Sequence, residues 1–228
     1  MIGDISDKKD EWFSNRWGKF TASELYKLLT PCKDNLFSSG AYTYIKQKAL
    51  EMCTRMWERP ALEEVKSLLH GKMYEYPAYE AYVHATKNYS MTYLGTETPL
   101  FLDDEELKGE SGGSPDVINI TASNSIDAGA EIKCPINPMY HFERLKWKSQ
   151  FDIKENYILC YTQMQKLLKI TNAGIWQFVS FDERQVSKAK QCIIIDVYPD
   201  KKFQDNLHFR TVRAIEEKYR ILDEHMNP

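Results

Sequence analysis

The sequence predicts an α/β (α+β) fold, a single domain over residues 1–228 with a central mixed β-sheet flanked by helices. Three observations lead there. Helix-period segments and short β-branched runs follow one another in the order helices, strands, helix, strands, helix. No linker-like Gly, Ser or Pro run, internal repeat or low-complexity tract divides the chain. A hydrophobic content of 43% in 228 residues is enough for one sizeable core.

Thr21-Ala-Ser-Glu24 has the spacing of a capping box, so a short helix is expected to open there, carry Leu25, Leu28 and Leu29, and close before Pro31. Residues 33–40 read as loop, and residues 41–57 as a helix with Tyr44, Ile45, Lys48, Ala49 and Met52 at helical spacing. Residues 62–86 are again helical in pattern. Gly71 and Pro77 interrupt them at a cost of about 1 and about 3 kcal/mol. A kink or break is therefore expected near His70 to Glu75, offset by something such as close approach to a site. Residues 92–102 read as a strand and its approach, leading into an acidic stretch over 103–110. Further on, residues 155–170 read as a helix, 175–181 and 192–198 as strands, and 201–225 as an amphipathic helix with Phe209, Val212, Ile215, Tyr219 and Leu222 in register.

The segment between these elements carries the chemistry. Residues 117–120 form a short apolar run, 121–127 are turn-rich and 128–134 are again strand-like, which reads as a hairpin. In an extended strand Glu131 and Lys133 share one face, while Ile132 and Cys134 turn to the other. Ser114-Pro-Asp116 places Asp116 at the mouth of the first strand, within reach of Glu131. Hard carboxylate oxygens suit Mg²⁺, with Mn²⁺ as the alternative, and an adjacent lysine can orient water and offset charge on a phosphate. A Glu and a Lys two apart on a strand are most often a solvated face or an ion pair. The preceding Ser-Pro-Asp and the closing Pro135 are what make a metal-dependent phosphodiesterase an equal reading.

The formal net charge of -3 excludes nucleic-acid binding by bulk attraction, so local basic groups must serve. Arg144, Lys146 and Lys148, Lys188 and Lys190, and Lys201 and Lys202 are the candidates. The charged N-terminus does not read as a signal peptide, and no window approaches about 18 apolar residues, so a soluble protein is expected. Five cysteines with no CxxC pair fit a reducing cytoplasm, and Cys134 is expected as a small buried hydrophobe.

Taken together, the motifs resemble the lambda-exonuclease and YqaJ-type viral recombinase family of the PD-(D/E)xK nuclease superfamily. They are, in order, Trp12 with Arg16 and Gly18 before Thr21-Ala-Ser-Glu24, Gly71-Lys-Met-Tyr-Glu75, Ser114-Pro-Asp116, Glu131-Ile-Lys-Cys-Pro135 and Tyr161-Thr-Gln-Met-Gln165. The resemblance implies a restriction-endonuclease-like core with Asp116, Glu131 and Lys133 as its catalytic set. It further implies that the Ile132 carbonyl and Glu75 complete the metal shell, and that Gln163 lies on a helix behind the site. Arg16, Ser23 and Ser114 correspond to a pocket for the 5′-phosphate of the digested strand, and Leu68 to an apolar wedge that splits terminal base pairs. Lys33 stands where the family has an arginine that reaches into DNA. Val117 replaces a glycine, and Met139 an arginine whose phosphate contact Arg144 could supply.

The activity so implied is a magnesium-dependent 5′ to 3′ exonuclease on linear duplex DNA. It would leave a 3′ single strand for a single-strand annealing partner, work as a homotrimeric ring, be phage or prophage encoded, and act in the host cytoplasm. Two other readings stay open: a PD-(D/E)xK endonuclease of restriction or repair, and a catalytically inactive DNA-binding relative. The terminal-phosphate residues separate the first of these, and the intact acidic set separates the second. Relatives with an iron–sulfur cluster are disfavoured by the scattered cysteines.

Overall fold

A computed structural model describes residues 13–33, 35–54, 66–95 and 100–226. Trp12, the end of the expected helix at 55–57, the start of the next at 62–65, and residues 96–99 lie outside the described residues. The strands are β1 Phe20–Thr21, β2 Met91–Tyr93, β3 Leu102–Asp103, β4 Ser111–Gly113, β5 Val117–Ile120, β6 Ile126–Lys133, β7 Ile175–Phe181 and β8 Cys192–Val197. The helices are α1 Ser39–Cys53, α2 Lys66–Thr86, α3 Pro138–Arg144, α4 Gln150–Asn156, α5 Ile158–Thr171 and α6 Lys201–Met226.

The central sheet has the order β2-β5-β6-β7-β8 and is mixed, parallel at β6–β7 and antiparallel elsewhere. The expected hairpin is β5–β6, with Val117 opposite Ala130. Valine at 117 therefore fits the strand in the place of the family's glycine. Alternation along β6 sends Ala130 and Ile132 into a core with Ala78 and Tyr82 of α2. Glu131 pairs with Phe178, which belongs to the core under α5 with Tyr161, Met164 and Leu167. Helices thus cover both faces.

A smaller sheet, β1-β4-β3, lies to one side and joins β1 to β4 in parallel. A third core builds on it from Phe20, Leu25, Leu28, Tyr44, Ile45, Leu207 and Ala214. Of the strand and its approach expected over 92–102, the described residues hold β2 at the start and β3 at the end, which belong to different sheets.

Three local expectations are corrected. The helix after Thr21 is a short 3-10 turn over Leu25–Leu29 whose N-cap, Glu24, makes no side-chain cap. Thr21 instead sits in β1 and lies 3.4 Å from the Glu24 carboxylate. α2 runs unbroken through Gly71 and Pro77. Pro77 forfeits one hydrogen bond to the turn above, where exposed Met73 leaves solvent available, and Ala78 and Tyr82, both fully buried, hold the helix to the sheet. On α6 the buried face is Gln204, Leu207, Thr211, Ala214 and Lys218, whereas Phe209 and Tyr219 are exposed. Its polar members are satisfied: Gln204 bonds Gln165, and Lys218 bonds the Gly18 carbonyl and Glu110.

Candidate active site

Ser114-Pro-Asp116 is the crossing from the small sheet to the central one, since β4 ends at Gly113 and β5 starts at Val117. Proline suits a crossing because it needs no partner for an N–H. Close packing fixes the approach: a Cβ on Gly113 would stand 2.8 Å from Ala22 Cβ and 2.9 Å from Leu167 Cδ2, too near for any other residue. Asp116 is then held at both ends. Its carbonyl accepts from Leu94 N–H at 2.9 Å, and its Oδ2 accepts from Ile132 N–H at 2.7 Å.

The hairpin brings Asp116 to Glu131, and Lys133 Nζ donates to Glu131 Oε1. Glu75 arrives from α2 within electrostatic reach of Asp116, Lys133 and Tyr93. A cleft of about 260 Å³ opens over them, lined by Ser67, Leu68, Gly71, Lys72, Glu75, Asp116, Ile132, Lys133 and Cys134. Carboxylates forced together away from water hold their protons more tightly. Burial and the Asp116 charge push Glu75 up to about 7 and Glu131 up to about 8. Burial raises Asp116 as well, against the pull of Lys133. Burial opposes the Lys133 ammonium, yet Glu131 and Asp116 hold its pKa well above the usual lysine range.

Glu131 Oε2 is buried with no hydrogen-bond partner. An orphaned carboxylate oxygen beside two further carboxylates is a hard-oxygen donor set of the kind a divalent cation takes. As the side chains stand, no group of three or more His, Cys, Asp or Glu among the described residues is set as a ready ligand shell. Glu131 Oε1 is turned to Lys133 and Asp116 Oδ2 to the Ile132 N–H. The donor chemistry fits; the shell would need these side chains to turn.

The remaining expected residues divide. Parallel pairing of β1 with β4, with Ala22 N–H donating to Gly112 O at 2.7 Å, leads the chain past the ends of the two strands to Ser23 and Ser114, on the Asp116 side. Arg16 is half-buried; burial lowers its pKa, while Glu24, Tyr44 and Glu51 act to raise it. Lys48 bridges Glu24 at 3.8 Å and Glu51 at 3.1 Å, and Lys27 bridges Glu24 at 2.5 Å. Leu68 is exposed at the cleft instead of packed in a core, Lys33 is exposed, and Gln163 is buried on α5 one turn beyond Cys160. Cys134 is half-buried, and burial drives its thiol up to about 12.

Arg144 is a correction. It is buried, stacks over Tyr157 with its guanidinium 4.7 Å from the ring centre, and donates to Ser180 Oγ at 3.1 Å, so it is not a surface phosphate contact. Lys146, Lys148, Lys188, Lys190, Lys201 and Lys202 are exposed. Sequence reasoning missed Lys72 and Tyr93. Lys72 was recoverable, because Leu68, Lys72 and Glu75 share one helix face. Tyr93 gave no signal, since a three-residue strand has no periodicity to read.

Residues 11–174 match the YqaJ-like viral recombinase domain family. Among solved structures, the fold is similar to an alkaline exonuclease from Laribacter hongkongensis, with TM-score 0.75 and 21% identity over 95% of this chain and 96% of that one. The same enzyme in complex with dAMP matches with TM-score 0.74 and 21% identity, over 94% and 95% of the two chains. A phage-related exonuclease from Haemophilus somnus 129PT matches with TM-score 0.65 and 16% identity, over 91% and 96%. No curated protein matches the sequence.

Proposed function

We propose that this chain, which belongs to the YqaJ-like viral recombinase domain family, is a divalent-metal-dependent 5′ to 3′ exonuclease acting on linear duplex DNA as one domain over residues 1–228. The observation that carries the reading is the convergence of Asp116, Glu75 and Lys133 on one cleft, with Glu131 buried against Lys133 and its Oε2 unsatisfied. Asp116, Glu131 and Glu75, together with the Ile132 carbonyl, would hold Mg²⁺ or Mn²⁺. When bound, such a cation supplies Lewis-acid stabilisation of phosphoryl charge and acidifies a coordinated water. Lys133 orients the attacking water and offsets charge on the phosphate, and Gln163 supports the site from α5. The dAMP complex of the Laribacter enzyme is in keeping with a mononucleotide product.

End selection falls to Arg16 with Ser23 and Ser114, because a guanidinium fork and hydroxyls favour phosphate oxygens. Leu68, apolar and exposed at the cleft, is suited to wedge apart terminal base pairs, and Lys33 and Lys72 to hold the backbone. The product is a 3′ single strand for an annealing partner, in a phage or prophage setting in the host cytoplasm. Exposed Met139, Tyr140, Phe142 and Phe151 support self-association, here a homotrimeric ring.

Linear duplex with 5′-phosphate ends should be degraded in magnesium and left intact in EDTA, with 5′-hydroxyl ends digested more slowly. Arg16→Ala should bring the rate on phosphorylated ends down toward that on hydroxyl ends. Equal attack on closed circular duplex would point to an endonuclease instead.

A further inference from the structure

We propose that Asp182 and Arg184 form a clamp that positions the strand end bearing Glu131 and Lys133. The inference rests on the nuclease reading above. The last ladder pair of β6 and β7 is Lys133 with Ser180, so Cys134, Pro135 and Ile136 leave the sheet without a strand beside them. Arg184 takes up what the ladder drops: its Nη1 donates to Ile136 O at 2.9 Å and its Nη2 to Pro135 O at 3.0 Å.

The guanidinium is itself oriented from behind. Arg184 Nε lies 2.7 Å from Asp182 Oδ1 and Nη2 lies 3.1 Å from Asp182 Oδ2, while Asp182 is almost wholly buried with its N–H donating to Gln191 O at 2.9 Å. Glu183, between them, lies within electrostatic reach of Tyr74, the neighbour of Glu75 on α2, and raises the pKa of that phenol. One turn at the end of β7 therefore reaches the chain just past Cys134 and the residue before Glu75, each next in sequence to a residue that lines the cleft.

Satisfying two carbonyls does not require an arginine. The Arg184 side chain is 41% exposed, so water is at hand for the same oxygens. What a rigid, two-pronged fork adds is direction: it fixes the chain within three residues of Lys133, where a swing would carry Lys133 and Glu131 away from Asp116. Misplacement of reacting groups by about 1 Å can cost about a hundredfold in rate.

The test compares Arg184→Lys, Arg184→Gln and Asp182→Asn with Gln191→Ala, which removes hydrogen bonds to the Glu183 and Gln185 carbonyls of the same turn but leaves Pro135 and Ile136 untouched. Digestion of 5′-phosphorylated duplex is followed at saturating magnesium. Both Arg184 variants and Asp182→Asn should lower kcat by about tenfold or more with KM for DNA within about twofold. Gln191→Ala should keep the wild-type kcat. Arg184→Lys retains the charge and the Asp182 ion pair, so it folds if the Gln variant does not. Wild-type kcat in Arg184→Lys, or an equal loss in Gln191→Ala, overturns the clamp. A wild-type protein that digests no DNA overturns the nuclease reading itself, and the clamp with it; Lys133→Ala, inactive beside active Arg184 variants, marks failure of the clamp alone.

Discussion

Glu131 is buried among acidic neighbours with one oxygen unpartnered, and that single side chain sets how the site responds to pH. Its carboxyl is pushed up to about 8, and that of Glu75 to about 7, from an ordinary value of 4.5. The folded protein therefore binds these protons more tightly than the unfolded chain. The resulting stabilisation is complete below the ordinary carboxylate range and is lost as pH rises through about 7 to about 8. A chelator-treated sample should lose melting temperature across that interval, and Glu131→Gln should flatten the loss. A divalent cation favours the ionised carboxylates, so magnesium should raise the melting temperature more at pH 8 than at pH 6 in the wild type, and less in Glu131→Gln. Scanning calorimetry at the two pH values, with and without magnesium, gives the comparison.

At the scale of elements, α2 and the β5–β6 hairpin meet to make the cleft, and Gly71 shows how the helix serves it. A Cβ at this position would meet nothing within 4 Å, and the residue lines the cleft wall. Glycine is thus not demanded by packing. Gly71→Ala should raise stability by about 0.5–1 kcal/mol, read from denaturant melts, because alanine favours the helix. Gly71→Leu should keep the fold and lower the rate on duplex DNA by narrowing the cleft. Wild-type turnover in Gly71→Leu would mean that DNA does not approach there. The hairpin was legible in the sequence because strand parity alone puts Glu131 and Lys133 on one face and sends Ile132 to the other. The small sheet was not, since β1 and β3 have two residues each and β4 is Ser-Gly-Gly, too short and too glycine-rich for any alternation. α3 was hidden for a related reason: of its seven residues His141 and Arg144 are the buried ones, and Met139, Tyr140 and Phe142 face outward, the reverse of an amphipathic pattern. The Arg184 fork was out of reach because it joins residues 48 and 49 positions apart through main-chain carbonyls, which carry no residue identity.

The whole molecule has a net charge of -3 and a cleft whose own lining is a mixture of signs. Bulk attraction cannot hold a polyanion to such a subunit through many turnovers, whereas a closed ring needs only a locally basic channel. Heterologous interfaces close naturally into cyclic rings. Light scattering should therefore give three times the 26.7 kDa chain mass, and digestion of a long duplex should continue after competitor DNA is added. A distributive monomer would instead favour the endonuclease-like alternative. The decisive property of the molecule is whether this cleft removes nucleotides from the 5′ end of a duplex strand. A linear duplex labelled at either the 5′ or the 3′ end of one strand, digested in magnesium by the wild type and by Lys133→Ala, tests that directly. The 5′ label should be released at once as mononucleotide while the 3′ label persists on shortening strands, and Lys133→Ala should bind the duplex but cleave at least about 100-fold more slowly. Earlier loss of the 3′ label, or wild-type release by Lys133→Ala, would contradict it.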